Sequence, residues 1–404
     1  MITFEEAYQT VINSGLRLGT EKVNLQDSLG RVMSEDVFSD INMPPFDKSA
    51  MDGYACKAED IYNELDVVEI IPAGKMPEKK IQKNQCAKIM TGAPVPEGAD
   101  TVFIVEESEE TGKNKVRYIA PDKNQNSCNT GNHKRKKSNI CYIGEDVRIS
   151  QKVLNKGTII KPQHIAVLAS VGHTMPLVSE RPKVGVIATG SELVEPEKKP
   201  GISQIRNSNG SQMVSQLQAI SVIANYYGIA EDDEEITYEI IKKARDENHI
   251  VMLSGGVSMG DFDFVPLILK KLNFEIKFDK VAIQPGKPTT FAIGNNKFCF
   301  GMPGNPVSSF VQFELMAKPL LYNMMGANYN PLTIKMPLGK DYTRKRARRL
   351  SWIPVNITKN GEIVPIEYHG SAHINGLAPA EGLMPIPIGV KTMKKGEIVN
   401  VRQI

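Results

Sequence analysis

The sequence has little net charge, no long apolar run and few cysteines, and each deficit excludes a class of protein. A formal net charge of +3 over 404 residues is too small to indicate a nucleic-acid-binding protein. No apolar run approaches the length of a membrane span. The first residues include acidic side chains where a secretory signal needs a basic start and an apolar core. We therefore expect a cytoplasmic protein that binds neither nucleic acid nor membrane.

The cysteines are too few and too scattered for a disulfide framework. There are five, an odd number, without a CxxC pair: Cys56, Cys86, Cys128, Cys141 and Cys299. This pattern favours free thiols in a reducing compartment. A composition of 41% hydrophobic and 24% charged residues supplies ample material for the cores of two to four domains.

Periodicity indicates several kinds of domain along the chain. Phe4, Ala7 and Val11 share one face of a helix that should stop near Gly15, and an extended segment follows. From about 48 to 148 the apolar runs are short and bounded by turns, which predicts a β-rich domain. Across 183–325, strands alternate with helices, which predicts a doubly wound parallel sheet. Here we expect a helix over 211–228 ended by Gly228, and a second helix over 238–249. Residues 330–404 alternate without a helical pattern and predict a small β-barrel or sandwich.

Three loops in the α/β segment have the composition of an anion site. Each follows a short apolar run, and in open parallel sheets ligands bind outside the carboxyl ends of the strands. Asn305 before Pro306 indicates a helix N-cap, whose helix would direct partial positive charge at the loop. The glycines that would let backbone N–H groups approach a ligand are Gly255, Gly256, Gly260, Gly286, Gly301 and Gly304.

Carboxylates stand among these glycines, together with Lys287. Asp261 and Asp263 would repel an anion unless a divalent cation lay between them, so the sequence predicts Mg²⁺ bridging a phosphate or similar group. Glu192 and Asp232 follow strands whose ends should meet the same edge of the sheet. The alternative is that the glycines form ordinary turns and that Glu192 only complements a helix dipole.

The same residues carry a family resemblance. SGGVSMGDFDFV (254–265), QPGKP (284–288) and GMPGNPVSS (301–309) are similar to motifs of the MoeA family of molybdopterin molybdenumtransferases, which includes the C-terminal domain of gephyrin. Further matching blocks keep the family's order: PPFDKSAMDGYA (44–55), MTGAPVPEGADTV (90–102), GED (144–146), VGVIATGSELV (184–194) and RNSNGSQM (206–213).

The resemblance implies a multidomain fold of α/β and β parts. It comprises an N-terminal helix and elongated connecting domain (1–45 and 146–175), an inserted β-rich domain (46–145), a MogA-like α/β molybdopterin-binding domain (176–328) and a C-terminal β-barrel (329–404). The implied enzyme inserts molybdenum from molybdate into adenylylated molybdopterin with the help of Mg²⁺, and releases AMP.

The resemblance also implies which residues form the site. Residues expected to act in catalysis are Asp52, Thr91, Asp146, Glu192, Lys287 and Ser371. Residues expected to bind the cofactor or its phosphates are Gly255, Gly256, Ser258, Gly286, Lys287, Pro303, Gly304, Asn305 and Pro306. Residues expected to hold the metal are Glu192, Asp232 and Asp263. On spacing alone, Asp52 and Ser371 are typical of turns.

Two positions depart from the family pattern. Cys141 stands where the family has an arginine able to grip phosphate bidentately; Arg135, Lys136 or Lys137 could replace its charge but not its geometry. Gln284 stands where many members have lysine. These changes leave open an enzyme that handles tungstate, or a weakly active paralogue.

The resemblance further implies a homodimer with two shared active sites, in which the β-rich domain of one subunit covers the α/β site of the other. A MogA-type adenylyltransferase is the expected protein partner. Two other functions stay open: an adenylyltransferase, which would consume ATP, and a gephyrin-like binding scaffold, which would bind a peptide tightly without turnover.

Overall fold

A computed structural model describes residues 1–120, 138–256, 264–367, 370 and 372–404. Several residues singled out in the sequence therefore lie outside the described residues: Cys128, Arg135, Lys136, Lys137, Ser258, Gly260, Asp261, Asp263 and Ser371. The chain forms two compact units. The first contains Met1–Glu35, Asn155–Ala166 and Thr174–Ile404; the second contains Asp36–Leu154 and Val167–His173. This division leaves the four domain boundaries expected from the sequence as a prediction.

The described residues contain seven α-helices. Thr3 caps the first in a capping box with Glu6, and Ala7 and Val11 form its buried face, as the sequence predicts. A π turn at Phe313–Ala317 joins the last two, and no described helix has the length and apolarity needed to cross a membrane. The helices are α1 Phe4–Asn13, α2 Pro162–Ser170, α3 Ser208–Gln218, α4 Glu234–Glu247, α5 Val265–Lys271, α6 Pro306–Gln312 and α7 Lys318–Met324. Short 3₁₀ turns lie at Leu25–Ser28, Ala58–Asp60, Val105–Glu107 and Ile374–Leu377.

The second unit is built on a six-stranded sheet. Its strands are β1 Gly53–Cys56, β2 Glu64–Ile71, β3 Gln85–Ile89, β4 Thr101–Ile104, β5 Ser108–Gly112 and β6 Lys115–Tyr118. They lie in the order β4-β1-β3-β2-β6-β5, and all pairs are antiparallel except β2 with β3. Tyr54 and Phe103 pack on one face, and Ala55 and Val102 on the other. The short apolar runs of this segment thus form the predicted strands.

The first unit contains the α/β sheet. Its strands are β7 Lys183–Thr189, β8 Ile223–Ala230, β9 Ile250–Ser254, β10 Glu275–Phe278, β11 Thr290–Gly294 and β12 Lys297–Met302. They lie in the order β8-β7-β9-β12-β11-β10; the first four are parallel, β11 is antiparallel to β12, and β10 is antiparallel to β11. Residues of α3, α6 and α7 share a core with one face, and residues of α4 and α5 share a core with the other. The doubly wound α/β fold class is therefore confirmed.

The antiparallel edge has a local cause that periodicity does not reveal. Asn295 and Asn296 both have positive φ, at 50° and 59°, and they form the two-residue turn between β11 and β12. Such turns match the twist of an antiparallel hairpin, and asparagine tolerates their conformation. β11 and β12 therefore pair as an antiparallel hairpin, and no crossover helix connects them.

One predicted helix is wrong. The helix expected over 211–228 ends at Gln218, and Ile223–Ala230 is strand β8, which pairs in parallel with β7. Ser221 adopts a left-handed φ of 59° and ends the helical path. Gly228, expected as a helix C-cap, has φ 85° where the β7–β8 register shifts. The helix expected over 238–249 is confirmed as α4.

The C-terminal residues of the first unit form another sheet. Its strands are β13 Thr333–Pro337, β14 Leu350–Ile357, β15 Ile363–Pro365, β16 Gly382–Ile386 and β17 Ile398–Gln403. The short strand Ile283–Gln284 pairs with β14, and the order continues through β16 and β17 to β13. Leu338, just after β13, pairs with Ile363 of β15, which itself pairs with β14. The strand path returns on itself, which agrees with the predicted barrel.

The remaining strands form five small ribbons. Their pairs are Thr20–Lys22 with Leu177–Ser179, Val37–Phe38 with Lys152–Leu154, Lys48–Ser49 with Ile140–Cys141, Leu193–Val194 with Ile205–Arg206, and Tyr342–Thr343 with Thr392–Met393. The fourth ribbon includes one charged residue, Arg206.

Candidate active site

A pocket of about 600 Å³ opens at the carboxyl edge of the parallel strands in the first unit. We call it the carboxyl-edge pocket. Seven of the predicted site residues line it together: Glu192, Asp232, Gly255, Gly256, Gly304, Asn305 and Pro306. The other lining residues are Thr189, Gly190, Leu193, Ile205, Arg206, Asn207, Ser208, Asn209, Ser254, Ala372 and Ile374. The described parts of two of the three Gly-rich loops, those after β9 and β12, therefore meet at this edge, and no residue of 284–288 lines the pocket.

Two loops of the pocket require glycine. Gly255, directly after β9, has φ 95°, and a Cβ on it would lie 2.7 Å from the carbonyl oxygen of Thr189. Its N–H donates to the carbonyl oxygen of Met302 at 3.2 Å, which joins the ends of β9 and β12. Gly190, directly after β7, has φ 136°. A side chain at either position would force the strand ends apart or strain the backbone.

Hydrogen bonds fix the carboxylate of Asp232 and the backbone of Glu192. Asp232 Oδ2 accepts a hydrogen bond from the Ser191 N–H at 3.0 Å, and Ser191 Oγ accepts one from the Asp232 N–H at 3.1 Å. The carbonyl oxygen of Glu192 accepts from the Ile205 N–H at 2.8 Å. Mg²⁺ in phosphate sites is commonly bound by one or two carboxylates together with phosphate oxygens and water. The described residues contain no group of three or more acidic, histidine or cysteine side chains that could hold a metal ion, so Mg²⁺ at these two carboxylates would need oxygens from the ligand and from water.

Asn209 is a pocket residue that sequence reasoning missed. Its Nδ2 donates to Ser254 Oγ at 2.6 Å and to the carbonyl oxygen of Gly304 at 2.7 Å, and the residue is 7% exposed. The side chain thus ties the first turn of α3 to the loops after β9 and β12. No periodicity indicates such a contact, because its partners lie 45 and 95 residues away.

Asn207 is the N-cap of the same helix, α3. The sequence carried a recognisable signal for it, since asparagine before an apolar helical pattern is typical of an N-cap. Its Oδ1 accepts from the Gly210 N–H at 3.0 Å, and its Nδ2 donates to the Tyr226 hydroxyl at 2.8 Å. The Tyr226 hydroxyl donates to Glu195 Oε1 at 2.7 Å. Burial, followed by the bond to Glu195, raises the pKa of Tyr226, so this hydroxyl keeps its proton.

Arg206 was also missed. It precedes the α3 cap, and its Nε donates to the carbonyl oxygens of Pro196 at 2.9 Å and Lys198 at 3.1 Å. Among the described residues that line the pocket, it is the only cation.

Three predicted residues are not among those that line the pocket: Gly286, Lys287 and Pro303. The Lys287 side chain is exposed, while its carbonyl oxygen accepts from the Val281 N–H at 2.9 Å. Gln312, fully buried at the end of α6, donates through Nε2 to the carbonyl oxygen of Pro285 at 3.1 Å. Gln312 therefore fixes the backbone of the loop that carries Lys287. The role of Lys287 stays a prediction.

In the second unit, Asp52 and Thr91 lie together. Thr91 donates twice to Asp52 Oδ1, from its N–H at 2.6 Å and from its hydroxyl at 2.7 Å. These bonds, the backbone one first, lower the pKa of Asp52. Asp146 belongs to the same unit, and its N–H donates to the carbonyl oxygen of Met43 at 3.0 Å. Cys141 is a half-buried free thiol on the ribbon with Lys48–Ser49.

Replacing Thr91 by valine should raise the pKa of Asp52 toward its ordinary value, because the hydroxyl donor that favours the charged carboxylate is removed. A lowered native-state pKa contributes stability above the unfolded-state pKa, and this contribution is lost as pH falls through the native value. The measurement is a carboxyl ¹³C NMR titration. Thr111→Val, which removes a hydroxyl from Glu64 at 3.0 Å, is the matched control and should leave Asp52 unchanged. An unshifted Asp52 in Thr91→Val would contradict the assignment.

Taken together, the pocket combines Gly-rich loops, two carboxylates and a guanidinium at the carboxyl edge of a parallel sheet. The chain is thus an α/β protein whose polar pocket lies at the edge where open parallel sheets bind their ligands. Residues 2–172 match the MoeA N-terminal region (domain I and II), residues 185–323 match a probable molybdopterin binding domain, and residues 335–404 match the MoeA C-terminal region (domain IV). The chain belongs to the MoeA family, which confirms the resemblance seen in the sequence.

Individual relatives match over nearly the whole length. The molybdopterin molybdenumtransferase of Staphylococcus epidermidis is 35% identical over 415 residues, covering 99% of this chain and 95% of that protein. Its counterpart in Staphylococcus aureus is 33% identical over 410 residues with the same coverage, 99% and 95%. Among solved structures, the molybdopterin biosynthesis MoeA protein of Pyrococcus horikoshii OT3 is 30% identical, has a TM-score of 0.81 and covers 100% of both chains.

Proposed function

We propose that this protein is a molybdopterin molybdenumtransferase. It inserts molybdenum from molybdate into adenylylated molybdopterin and releases AMP and the molybdenum cofactor. The observation that carries the proposal is the carboxyl-edge pocket, where seven residues predicted from the family motifs meet in a chain that resembles the staphylococcal enzymes from end to end. Two anionic substrates would have to be held close together there, which calls for positioned N–H donors and positive charge.

Mg²⁺ is proposed to be held by Glu192 and Asp232 of the pocket, with Asp263 added from its motif alone. When bound, the ion supplies positive charge that polarises phosphoryl oxygens and offsets the repulsion between carboxylate and phosphate. The chain's own groups orient the ligand. The Gly255 N–H is used in the bond to Met302, so the backbone N–H groups that approach its oxygens are those of Gly256 and Gly304, and Asn209 keeps these loops at a fixed separation.

The remaining predicted residues have proposed roles based on their motifs. Lys287 contacts the phosphates, and Pro303 and Pro306 shape the oxoanion pocket. Asp52 and Thr91 present an ionised, hydrogen-bonded carboxylate, since the lowered pKa of Asp52 keeps its charge at neutral pH. Asp146, Gly286, Ser258 and Ser371 complete the proposed site.

We propose that the protein works in the cytoplasm as a homodimer whose two sites are shared between subunits, and that a MogA-type adenylyltransferase supplies its adenylylated substrate. Asp52 and Thr91 belong to the second unit and the carboxyl-edge pocket to the first, so a shared site would draw one unit from each subunit.

The test of the activity is release of AMP from adenylylated molybdopterin. With Mg²⁺ and micromolar molybdate, AMP should appear in a one-to-one ratio with molybdenum cofactor, measured by chromatography. A parallel assay supplies tungstate, and a third supplies molybdopterin with ATP in place of the adenylylated compound. Turnover only in the third assay would replace the proposal with adenylyl transfer, and a clear preference in the second would make tungstate the oxoanion.

A further inference from the structure

Arg206 is held on both its backbone and its side chain before any ligand arrives. Val194 and Arg206 are register partners in the short parallel ribbon, and the next residue, Asn207, donates its N–H to the carbonyl oxygen of Val194 at 2.8 Å. The inner edge of the guanidinium is fixed through Nε to two carbonyl oxygens, of Pro196 and Lys198. The side chain is therefore already ordered in the folded protein, so binding a ligand costs less conformational entropy.

The outer edge of the same guanidinium remains available. A guanidinium has five N–H donors, four of them on the two terminal nitrogens, arranged as a planar fork that matches two oxygens of an oxoanion. Within the part of the chain that the structure describes, the hydrogen bonds of Arg206 run through Nε alone, and it forms no ion pair with Glu192 or Asp232. Its charge is thus not neutralised by the carboxylates that share the pocket.

The described ionisable residues that line the pocket carry more negative than positive charge. Its described ionisable lining consists of two carboxylates, Glu192 and Asp232, and one guanidinium. A doubly charged oxoanion entering this space meets repulsion from both carboxylates, and Mg²⁺ bound by them would offset part of it. Arg206 is the described lining side chain that attracts the anion directly.

We propose that Arg206 is an anion-binding residue of the carboxyl-edge pocket that grips a tetrahedral oxoanion bidentately through its terminal nitrogens. The anion is the phosphate of the nucleotide-linked substrate or the molybdate ion, both of which are negatively charged tetrahedral oxoanions. This inference rests on the proposed function. It also gives the chain a guanidinium for anion binding although Cys141 replaces the arginine of the family motif.

The experiment measures binding of AMP and of sodium molybdate separately by isothermal titration calorimetry, with the whole protein and Mg²⁺ present. Arg206→Met should lower the affinity for one of the two anions by about 10- to 100-fold, since a charge-assisted hydrogen-bonded pair is lost. Arg206→Lys, which keeps the charge without the fork, should lose less. Lys199→Met is the matched control: it removes the same charge from an exposed position in the neighbouring loop, outside the pocket lining, and should bind as the wild type does.

The anion whose binding weakens is the one that Arg206 contacts: weaker AMP binding indicates the substrate phosphate, and weaker molybdate binding indicates the molybdate ion. Thermal denaturation of each variant checks that the loop carrying Pro196 and Lys198 stays folded. The proposal is overturned if Arg206→Met binds both anions within twofold of the wild type, if Lys199→Met loses as much as Arg206→Met, or if the wild type binds neither anion at millimolar concentration. Because AMP release is measured independently, an active wild type with unaffected Arg206 variants would reject this inference alone.

Discussion

Replacing Asp232 by asparagine is expected to lower the rate of AMP release by about 100-fold or more. The change removes one of the two described carboxylates proposed to hold Mg²⁺, and a neutral amide is a far weaker ligand for that ion. The fold should survive, because Asp232 is exposed and an asparagine Oδ1 can still accept the hydrogen bond from the Ser191 N–H. The measurement is turnover as a function of Mg²⁺ concentration.

The adjacent Asp233 provides a matched control. Its Oδ1 accepts from the Ile236 N–H at 2.9 Å and caps α4, and asparagine is an equally good cap. Asp233→Asn therefore makes the same change of charge one residue away, outside the pocket lining, and should leave turnover near that of the wild type. Equal activity of Asp232→Asn and wild type at limiting Mg²⁺ would remove Asp232 from the proposed metal site.

Two inactive variants should restore each other's activity if the proposed sites are shared. Asp52→Ala alters the second unit and Asp232→Asn alters the pocket of the first. In a mixed dimer one site collects both defects and the other collects none. Random pairing after co-refolding should therefore leave about a quarter of all sites intact. The readout is AMP release by the mixture compared with each variant refolded alone.

Asp52→Ala mixed with Asp146→Ala is the control, since both changes lie in the second unit and every shared site would carry one of them. That mixture should stay inactive. Heterodimers are confirmed by differently tagged chains. A mixture of Asp52→Ala and Asp232→Asn that forms heterodimers yet remains as inactive as its parents would show that each site is built within one subunit.

Much of the site could be predicted from the sequence because its signals are local. Asn305 before Pro306 marks the start of α6, which begins where it was expected. Gly255 and Gly256 were expected as loop glycines, and the structure shows why glycine is needed there, since both have positive φ. Glu192 and Asp232 could be placed at one edge because parallel strands share the edge at which they end. Resemblance to a family added Asp52 and Thr91. The spacing of these two residues in the sequence would not by itself reveal that they are in contact.

Other parts depended on contacts between distant residues. The helix expected over 211–228 became α3 and β8, because pairing with β7 overrides the local pattern of Ile223–Ala230. The fold class was correct, yet the antiparallel pairing of β11 with β12 came from the turn at Asn295 and Asn296.

The sequence by itself determined where the backbone must turn, where helices begin and which strands end in polar loops, since these depend on the conformational limits of a few adjacent residues. Tertiary structure decided that Asn209 of α3 would bond to the end of β9 and to the loop after β12. It also decided that the Arg206 guanidinium would be bonded through Nε, with its terminal nitrogens bonded to no described partner. Those outcomes depend on distances between residues far apart in the chain, and hydrogen bonds form only when folding brings their partners to about 3 Å.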